Sequence, residues 1–585
     1  MADLHLTDDA PSDAERQAID DVIDAEHLDG SGSAITIETE RIVRAGTQRA
    51  AGLRHLLLPS LHALQRASGW ISPGGLNHIA ERLQVPPAEA YGVATFYDLF
   101  RFEAPTHDGP TMHVCVDAAC QIAGAAEQIE YLEAEGVHVH PSPCLGQCER
   151  AVGVFVQRRA GDADPEPADT NEPVIPQQYD PALRLLRRVD RYDPASLEGY
   201  VGVGGFKALG AAMRLGASGV IDAVTASGLK GRGGAAFPTG IKWQAVAGEQ
   251  ADQKYLVVNA DESEVGTFKD RYLLEFDPFA LVEAATIAGF AVGATKGYVY
   301  IRGEYPLGAT RLQRAIDASR EAGFLGSGIA RSSLDFDLEI RQGAGAYICG
   351  EETALLESIE GYRGEPRQKP PFPTTHGLFA KPTVINNVET LVNVVDIVTE
   401  GADAYAARGT PDSAGTKLYC VSGHVARPGV YEIEFGRTMR EVLDLAGPFV
   451  GEPAAVLLGG GAGTFVLPDE FDLPLSFEAT RAAGHSLGSG VIMVFNSTTD
   501  FGAVLTRLAA FFRDESCGQC VPCRIGTVRQ HELLVRSQGA PSADDIVLID
   551  EMDRAMKDAS ICGLGHTAAT AVQSAITKGL IGVRG

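Results

Sequence analysis

Eight of the ten cysteines fall into two patterned groups, and this grouping constrains the fold of the 585-residue chain more than any other feature. In ESCGQCVPCR, Cys517, Cys520 and Cys523 repeat at C-x2-C-x2-C spacing, and Cys562 in SICGLG is the best remote fourth thiol. A compact triplet with one distant partner can close around a 4Fe-4S cube, whose iron is held by soft thiolates. A structural zinc site also takes four thiolates but favours paired C-x2-C knuckles. Pro522, inside the triplet, is expected to break any regular helix there, leaving free amides to offset the cluster's negative charge. The other group, Cys115-x4-Cys120 with Cys144-x3-Cys148, offers two ligands from each of two loops, which suits a 2Fe-2S cluster, with zinc as the alternative. Cys349 and Cys420 read as small buried residues, and His566 as outer-sphere or surface.

Composition removes several classes of function. A formal net charge of -28 argues against a nucleic-acid partner, which needs a basic face. No apolar run approaches the length of a bilayer span, so no direct membrane insertion is expected. The first residues, MADLHLTDDAPSDAERQAIDD, have neither a basic nor an apolar signal region, so a cytoplasmic location is expected, where clustered cysteines serve as ligands rather than disulfides.

Composition shifts divide the chain. Residues 1–34 read as an acidic, solvated tail ending in DGSGS, and 35–108 as a helical segment. Residues 109–158 alternate short apolar runs with one helical stretch, as a small α/β domain does. The Pro- and Asp-dense stretch 159–195 reads as a linker. From 196 to 412, strand-like runs (KYLVVNA, KGYVYIRG, LDFDLEIR) alternate with helical ones, which favours a layered α/β domain. Residues 413–500 are rich in β-pattern, and 501–585 are helical.

Three glycine-rich or acidic stretches stand out. GLKGRGGAAFPTGIKW contains Gly231-x-Gly233-x-x-Ala236, but it follows a helical run, whereas a dinucleotide fingerprint follows a strand. Its unobstructed amides, with Lys230, Arg232 and Lys242, suit a phosphate-bearing cofactor. NADESEVGTFKDR follows a strand-like run. GAGAYICGEETALL leads into Glu351 and Glu352 at a helix start, where acids can simply complement the helix dipole.

Taken together, GRGGAAFPTGIKW, NADESEVGTFKDRYLLE, GAGAYICGEETALLESIEG, KPTVINNVETL and SCGQCVPCRIGT resemble the flavin subunit that oxidises NADH in respiratory complex I and related soluble dehydrogenases. The upstream cysteines resemble that subunit's thioredoxin-like 2Fe-2S partner, here fused into the same chain. The resemblance implies FMN, a 2Fe-2S cluster, a 4Fe-4S cluster and NAD(H) as substrate. By motif position it implies FMN contacts from Gly231, Arg232, Gly233, Lys242, Asn259, Asp261, Gly350, Glu351, Asn386 and Asn387. Phe237, Glu264, Glu352, Lys369 and Phe372 would hold NADH, with Glu264 and Glu352 the acids of the reaction site and the two rings available to the adenine. It further implies a β-grasp-like domain from about Thr416 and a C-terminal helical bundle around Cys517, Cys520, Cys523 and Cys562. Relatives commonly carry an aromatic residue two positions after the tryptophan; here Gln244 and Ala245 follow Trp243.

The fused layout looks most like the β (diaphorase) subunit of soluble NAD-dependent formate dehydrogenases. Its partner would carry a molybdenum or tungsten cofactor and further iron-sulfur clusters. The alternatives are the diaphorase of a bidirectional nickel-iron hydrogenase and a fused complex I subunit. Two other classes, a colourless scaffold and a ferredoxin-like carrier unable to oxidise NADH, are separated by cofactor content and by NADH turnover with an artificial acceptor.

Overall fold

The computed structural model describes residues 7–28, 52–106, 109–160 and 175–584. Its amino-terminal layer is helical. An acidic segment forms the helix Asp13–Leu28, where a solvated tail is expected from composition. Two local features explain the difference. The Glu15 amide donates to Ser12 Oγ (3.3 Å) and the Ser12 amide to Glu15 Oε2 (2.7 Å), a reciprocal cap. Ile19 and Ile23 are buried one turn apart against Leu57–Ser68, each contributing about 2 kcal/mol of apolar burial. Residues 1–6 and 29–34 of the expected tail, and the start of the helical segment up to residue 51, lie outside the described residues. The helices Leu57–Ser68, Pro73–Leu83 and Pro87–Ala94 then pack in sequence, the second starting on a Ser72 cap with Pro73 in its first turn.

The small α/β domain is a sheet of order β2-β1-β3, from β1 (Thr111–Cys115), β2 (Val139–Ser142) and β3 (Val154–Gln157). Strands β1 and β2 are parallel, joined through the helix Ala125–Ala134, and β3 is antiparallel. Of the expected linker, residues 161–174 lie outside the described residues. The remainder is not a free connector: Ile175, Leu183, Leu185, Leu186 and Val189 are buried, and Arg188 pairs with fully buried Asp277 at 2.7 Å. Its prolines and aspartates mask an apolar set that docks on the next domain.

That domain is built on a four-stranded, all-parallel sheet, β4 (Tyr255–Ala260), β5 (Lys296–Ile301), β6 (Asp337–Gln342) and β7 (Thr383–Asn387), in the order β6-β5-β4-β7. The chain steps outward from β4 to β6, then returns to place β7 on the other side of β4. A crevice therefore opens beyond the carboxyl ends of β4 and β7, where ligands bind in open α/β sheets. The helix Pro278–Val292, buried almost throughout, packs between Lys207–Ala226 and Val388–Glu400 as the core of one layer.

A five-stranded sheet follows, in the order β11-β10-β12-β8-β9, from β8 (Thr416–Gly423), β9 (Gly429–Glu434), β10 (Pro453–Leu458), β11 (Thr464–Val466) and β12 (Val491–Asn496). The central β12–β8 pair is parallel and its flanks antiparallel. The chain ends in helices Phe501–Asp514, Val521–Arg536, Ala543–Ala559 and Thr570–Thr577. No helix among the described residues is long and apolar enough to cross a membrane. The fold is thus mixed α/β and α+β in several domains.

Candidate functional site

Three of the segments the sequence singles out meet at this crevice, because each lies at or just after the carboxyl end of a strand of the parallel sheet. Asn259 lies near the end of β4, with Asp261 and Glu264 just after it; after β6 comes the glycine approach to Glu351 and Glu352; at the end of β7, Asn386 and Asn387. The loop Leu229–Thr239 closes the fourth side by folding on itself, with Gly231 N donating to Phe237 O (2.9 Å) and Thr239 N to Leu229 O (2.9 Å).

The asparagines hold this frame. Asn259 Nδ2 donates to Gly350 O (2.8 Å), Asn386 Oδ1 accepts from Trp243 Nε1 (2.8 Å), and Asn387 joins Asp270 Oδ2 (2.6 Å) while capping the helix Val388–Glu400. Two glycines sit at tight approaches. A Cβ at Gly233 would meet Asn387 Cβ at 3.2 Å, and one at Gly350 would meet Asp261 O at 3.3 Å. A glycine-rich loop beside a strand-end crevice fits a planar, phosphate-bearing cofactor such as FMN.

One expected contact is corrected. The Arg232 side chain does not face the crevice: it is fully buried, donating to Lys230 O (3.0 Å), Tyr405 Oη (3.0 Å) and Ala414 O (2.8 Å), with its guanidinium 4.6 Å from the Phe435 ring centre. It is a strut under the glycine loop. Beneath it lies a buried ion network. Lys269 bridges Asp270 (2.8 Å) and Glu389 (2.9 Å), and Lys417 reaches Arg232 O (3.3 Å) and Ser489 O (3.0 Å). Burial pushes the Lys417 amine down to about 8 despite Glu389 nearby. No local pattern in the sequence marks these four residues, which meet across three separate segments.

At the mouth of the crevice, Glu351 caps its helix, Oε2 accepting from Thr353 N (2.7 Å) and Ala354 N (3.0 Å), so the dipole reading of this acid holds. Glu352 is bridged by two lysines, Lys369 Nζ at 2.8 Å and Lys242 Nζ at 3.3 Å. Burial pushes its carboxyl up, but Lys242 and Lys369 outweigh it and hold the group below the usual range. Phe237 and Phe372 are half-exposed or more (50% and 56%), so both rings are free to take a flat partner.

Glu264 sits deeper. Its Oε1 accepts from Ala462 N (3.1 Å) and its Oε2 from Tyr347 Oη (2.7 Å), while Tyr347 N donates to Glu515 Oε2 (2.8 Å), two residues before Cys517. Burial pushes Glu264 and Asp261 up to about 7. Tyr347 thus joins the crevice to the triplet loop.

Cys517, Cys520, Cys523 and Cys562 line one small cavity with Ile348, immediately beyond Tyr347. Pro522 does not break a helix: it lies in the first turn of Val521–Arg536, where its missing N–H costs nothing. Ile561 N donates to Cys520 Sγ (3.3 Å), and His566 Nε2 lies 2.9 Å from Ser560 O. Burial pushes the Cys562 thiol up to about 12, so thiolates gathered here require a cationic partner. The four fit a 4Fe-4S cluster.

Cys115, Cys120, Cys144 and Cys148 are all buried at the end of the small sheet, with Cys144 and Cys148 sulfurs 3.7 Å apart and Gly153 N donating to Cys120 Sγ at 3.3 Å. They fit a 2Fe-2S cluster. Arg302 donates to Cys144 O (2.8 Å) and Arg271 to Gly146 O (2.9 Å), seating this loop against the Glu262–Gly266 wall of the crevice. Cys349 and Cys420 are buried singly, the latter accepting from Phe268 N at 3.2 Å.

Comparison with known proteins agrees with this geometry. Residues 224–396 match the Nuo51 FMN-binding domain, 503–578 the NADH-ubiquinone oxidoreductase-F iron-sulfur binding region, and 43–167 the thioredoxin-like 2Fe-2S ferredoxin family. The last match takes in most of the helical segment with the small sheet. The chain is 44% identical to the HndC subunit of an NADP-reducing hydrogenase from Solidesulfovibrio fructosivorans over 64% of its own length and 77% of that protein. It is 42% identical to the NADH-quinone oxidoreductase subunit designated F in Aquifex aeolicus over 69% and 95%. Among solved structures, a chain of an NAD+-reducing [NiFe]-hydrogenase in the H2-reduced state superposes with a TM-score of 0.76 at 32% identity, covering 90% of this chain and 91% of that one. The chain therefore belongs to the Nuo51-type family of NADH-quinone oxidoreductase subunits, flavin iron-sulfur oxidoreductases, with FMN, 2Fe-2S and 4Fe-4S domains in one polypeptide and NAD(H) as its substrate.

Proposed function

We propose that this chain is the diaphorase subunit of a cytoplasmic NAD-dependent formate dehydrogenase, moving electrons between NAD(H) and a partner that carries molybdenum or tungsten. The observation that supports a diaphorase is the continuous run of contacts from Glu264 at the strand-end crevice through Tyr347 and Glu515 to the cavity of Cys517, Cys520, Cys523 and Cys562. When bound, FMN takes up the electron pair of a nicotinamide hydride and passes electrons singly to iron-sulfur clusters.

The chain's own residues position and insulate. Gly231, Gly233, Gly350 and the asparagine frame shape the cofactor bed, and the Arg232 strut with the Lys269–Glu389 network keeps the bed rigid. Phe237 and Phe372 offer faces to the adenine, and Lys369 holds Glu351 and Glu352 in place. Glu352 at the adenosine ribose would repel a 2'-phosphate, favouring NAD over NADP. Burial brings the Glu264 carboxyl up to about 7, while its Oε2 accepts from Tyr347 Oη.

A second partner has a specific observation behind it. The [NiFe]-hydrogenase neighbour is matched along nine-tenths of this chain, through both cysteine domains, so a nickel-iron partner explains the fused layout equally well. Elemental analysis of the complex that copurifies with this chain separates the two. Molybdenum or tungsten beside iron supports formate dehydrogenase; nickel replaces it with a hydrogenase; iron alone returns a complex I-like assembly.

A further inference from the structure

We infer that Asp98, His113 and His140 form a divalent transition-metal site, distinct from both cysteine clusters, that pins the small sheet to the strap at Asp98. One ligand atom from each residue lies within 4.8 Å of the others. The sheet register creates the pair: His113 on β1 is the direct neighbour of His140 on parallel β2, with ring centres 4.9 Å apart. Asp98 arrives from a different part of the chain and places Oδ2 3.4 Å from His140 Nε2.

The second observation is an orphan. His113 is 1% exposed, its Nε2 lies 3.3 Å from Gln157 Oε1, and its Nδ1 is buried with no hydrogen-bond partner. An outer N–H held by an amide oxygen leaves the inner nitrogen with a free lone pair, the arrangement in which imidazole ligates metals. A dry, unpaired acceptor is unfavourable, and a bound cation removes that cost.

Two imidazoles and a carboxylate suit zinc among the common divalent ions. Ligand bonds of about 2.0–2.2 Å put ligand atoms about 3.4 Å apart in a tetrahedron, so the set must contract by about 1 Å. The two residues that must move are the ones with room: the side chains of Asp98 and His140 are 42% and 35% exposed. Nearby Arg101 is directed elsewhere, its Nη1 lying 3.2 Å from His138 Nε2.

The position of Asp98 gives the site its role. Its amide donates to Gly345 O (3.1 Å) and that of Leu99 to Ala344 O (3.0 Å), so this strap is already paired with the glycine approach to Glu351. A metal shared between the strap and β1–β2 would tie the small sheet to a strap that is itself hydrogen-bonded to the flavin domain. Asp98 and His140 also line the cleft that reaches Arg507 and Cys517, so the fourth coordination position opens toward water.

The test uses the full-length holoprotein, dialysed against zinc and then against metal-free buffer. Expected are one zinc per chain above the iron content and a zinc-edge absorption spectrum with nitrogen or oxygen at about 2.0–2.1 Å and no sulfur shell near 2.3 Å. Because His113 is buried, the variants are His140→Gln and Asp98→Asn; each should lower zinc affinity at least about tenfold, the lower end of what losing a metal-site partner does, with iron content unchanged. Absence of retained zinc, sulfur in the zinc shell, or equal zinc in wild type and both variants would overturn the site.

Discussion

The two cysteine sites differ in how far they stand from water. All four cysteines of the small sheet are buried, and arginines from another domain grip their loops. Of the C-terminal four only Cys523 is buried, and Val521 and Ile525 beside them are exposed. Both sites touch the crevice wall, one through Glu262–Gly266 and the other through Tyr347–Ile348. A cluster that must exchange electrons with another protein needs an open side, and one that serves only its own flavin does not. The difference supports, within the proposed function, the C-terminal site as the exit and the sheet site as a side station.

The strongest test of that assignment is ligand removal. Cys520→Ser should abolish partner-linked NAD reduction while leaving NADH oxidation by ferricyanide, read in the same preparation. Cys144→Ser should spare partner-linked turnover, and its loss there would break the comparison.

The packing around the sites is the next lever. Asp117, 2% exposed, pairs with Arg507 and accepts from Cys144 N at 2.7 Å, so Arg507→Ala strands a buried carboxylate and should cost about 3 kcal/mol in chemical denaturation. Arg513→Ala, at the exposed Asp514 pair beside the other site, should cost less than about 1 kcal/mol. Equal losses would mean that the two sites are equally enclosed.

At the crevice mouth, Glu352→Gln frees Lys242 and Lys369 to meet a 2'-phosphate. NADPH kcat/KM should rise about tenfold, or about 1.4 kcal/mol, within the ~4 kcal/mol that two charges 4 Å apart exchange near a surface. Unchanged NADPH turnover would remove Glu352 from the adenosine end.

The smallest effect concerns protons. Asp261 and Glu264 titrate at about 7 in the folded chain because burial disfavours their charge. The folded state then binds more protons than the unfolded one between about pH 4 and 7, so these groups make stability fall as pH rises through that window. NADH kcat/KM should inflect near pH 7. Tyr347→Phe removes a donor that favours the Glu264 carboxylate, so the inflection should move upward; a downward move would contradict the contact.

Ligand spacing and strand-end motifs were legible because they are local. C-x2-C-x2-C and the runs from Asn259 and Gly343 carry their chemistry in consecutive residues, and the crevice needed only the alternation of strand and helix around them. Other features depended on long-range pairing. Nothing near Arg232 tells whether its side chain or its backbone faces a cofactor; Tyr405 and Ala414 decide that. The Asp13–Leu28 helix hid behind acidic composition, although Ser12 and Glu15 spell a cap. The metal triad required the β1–β2 register.

Rapid-freeze EPR tests the exit assignment most directly. NADH-reduced chain is mixed with its oxidised partner, following the signal lost in Cys520→Ser and the signal lost in Cys144→Ser. The first signal should decay at the turnover rate while the second lags. Decay of the second at the turnover rate, with the first still reduced, would contradict the exit assignment.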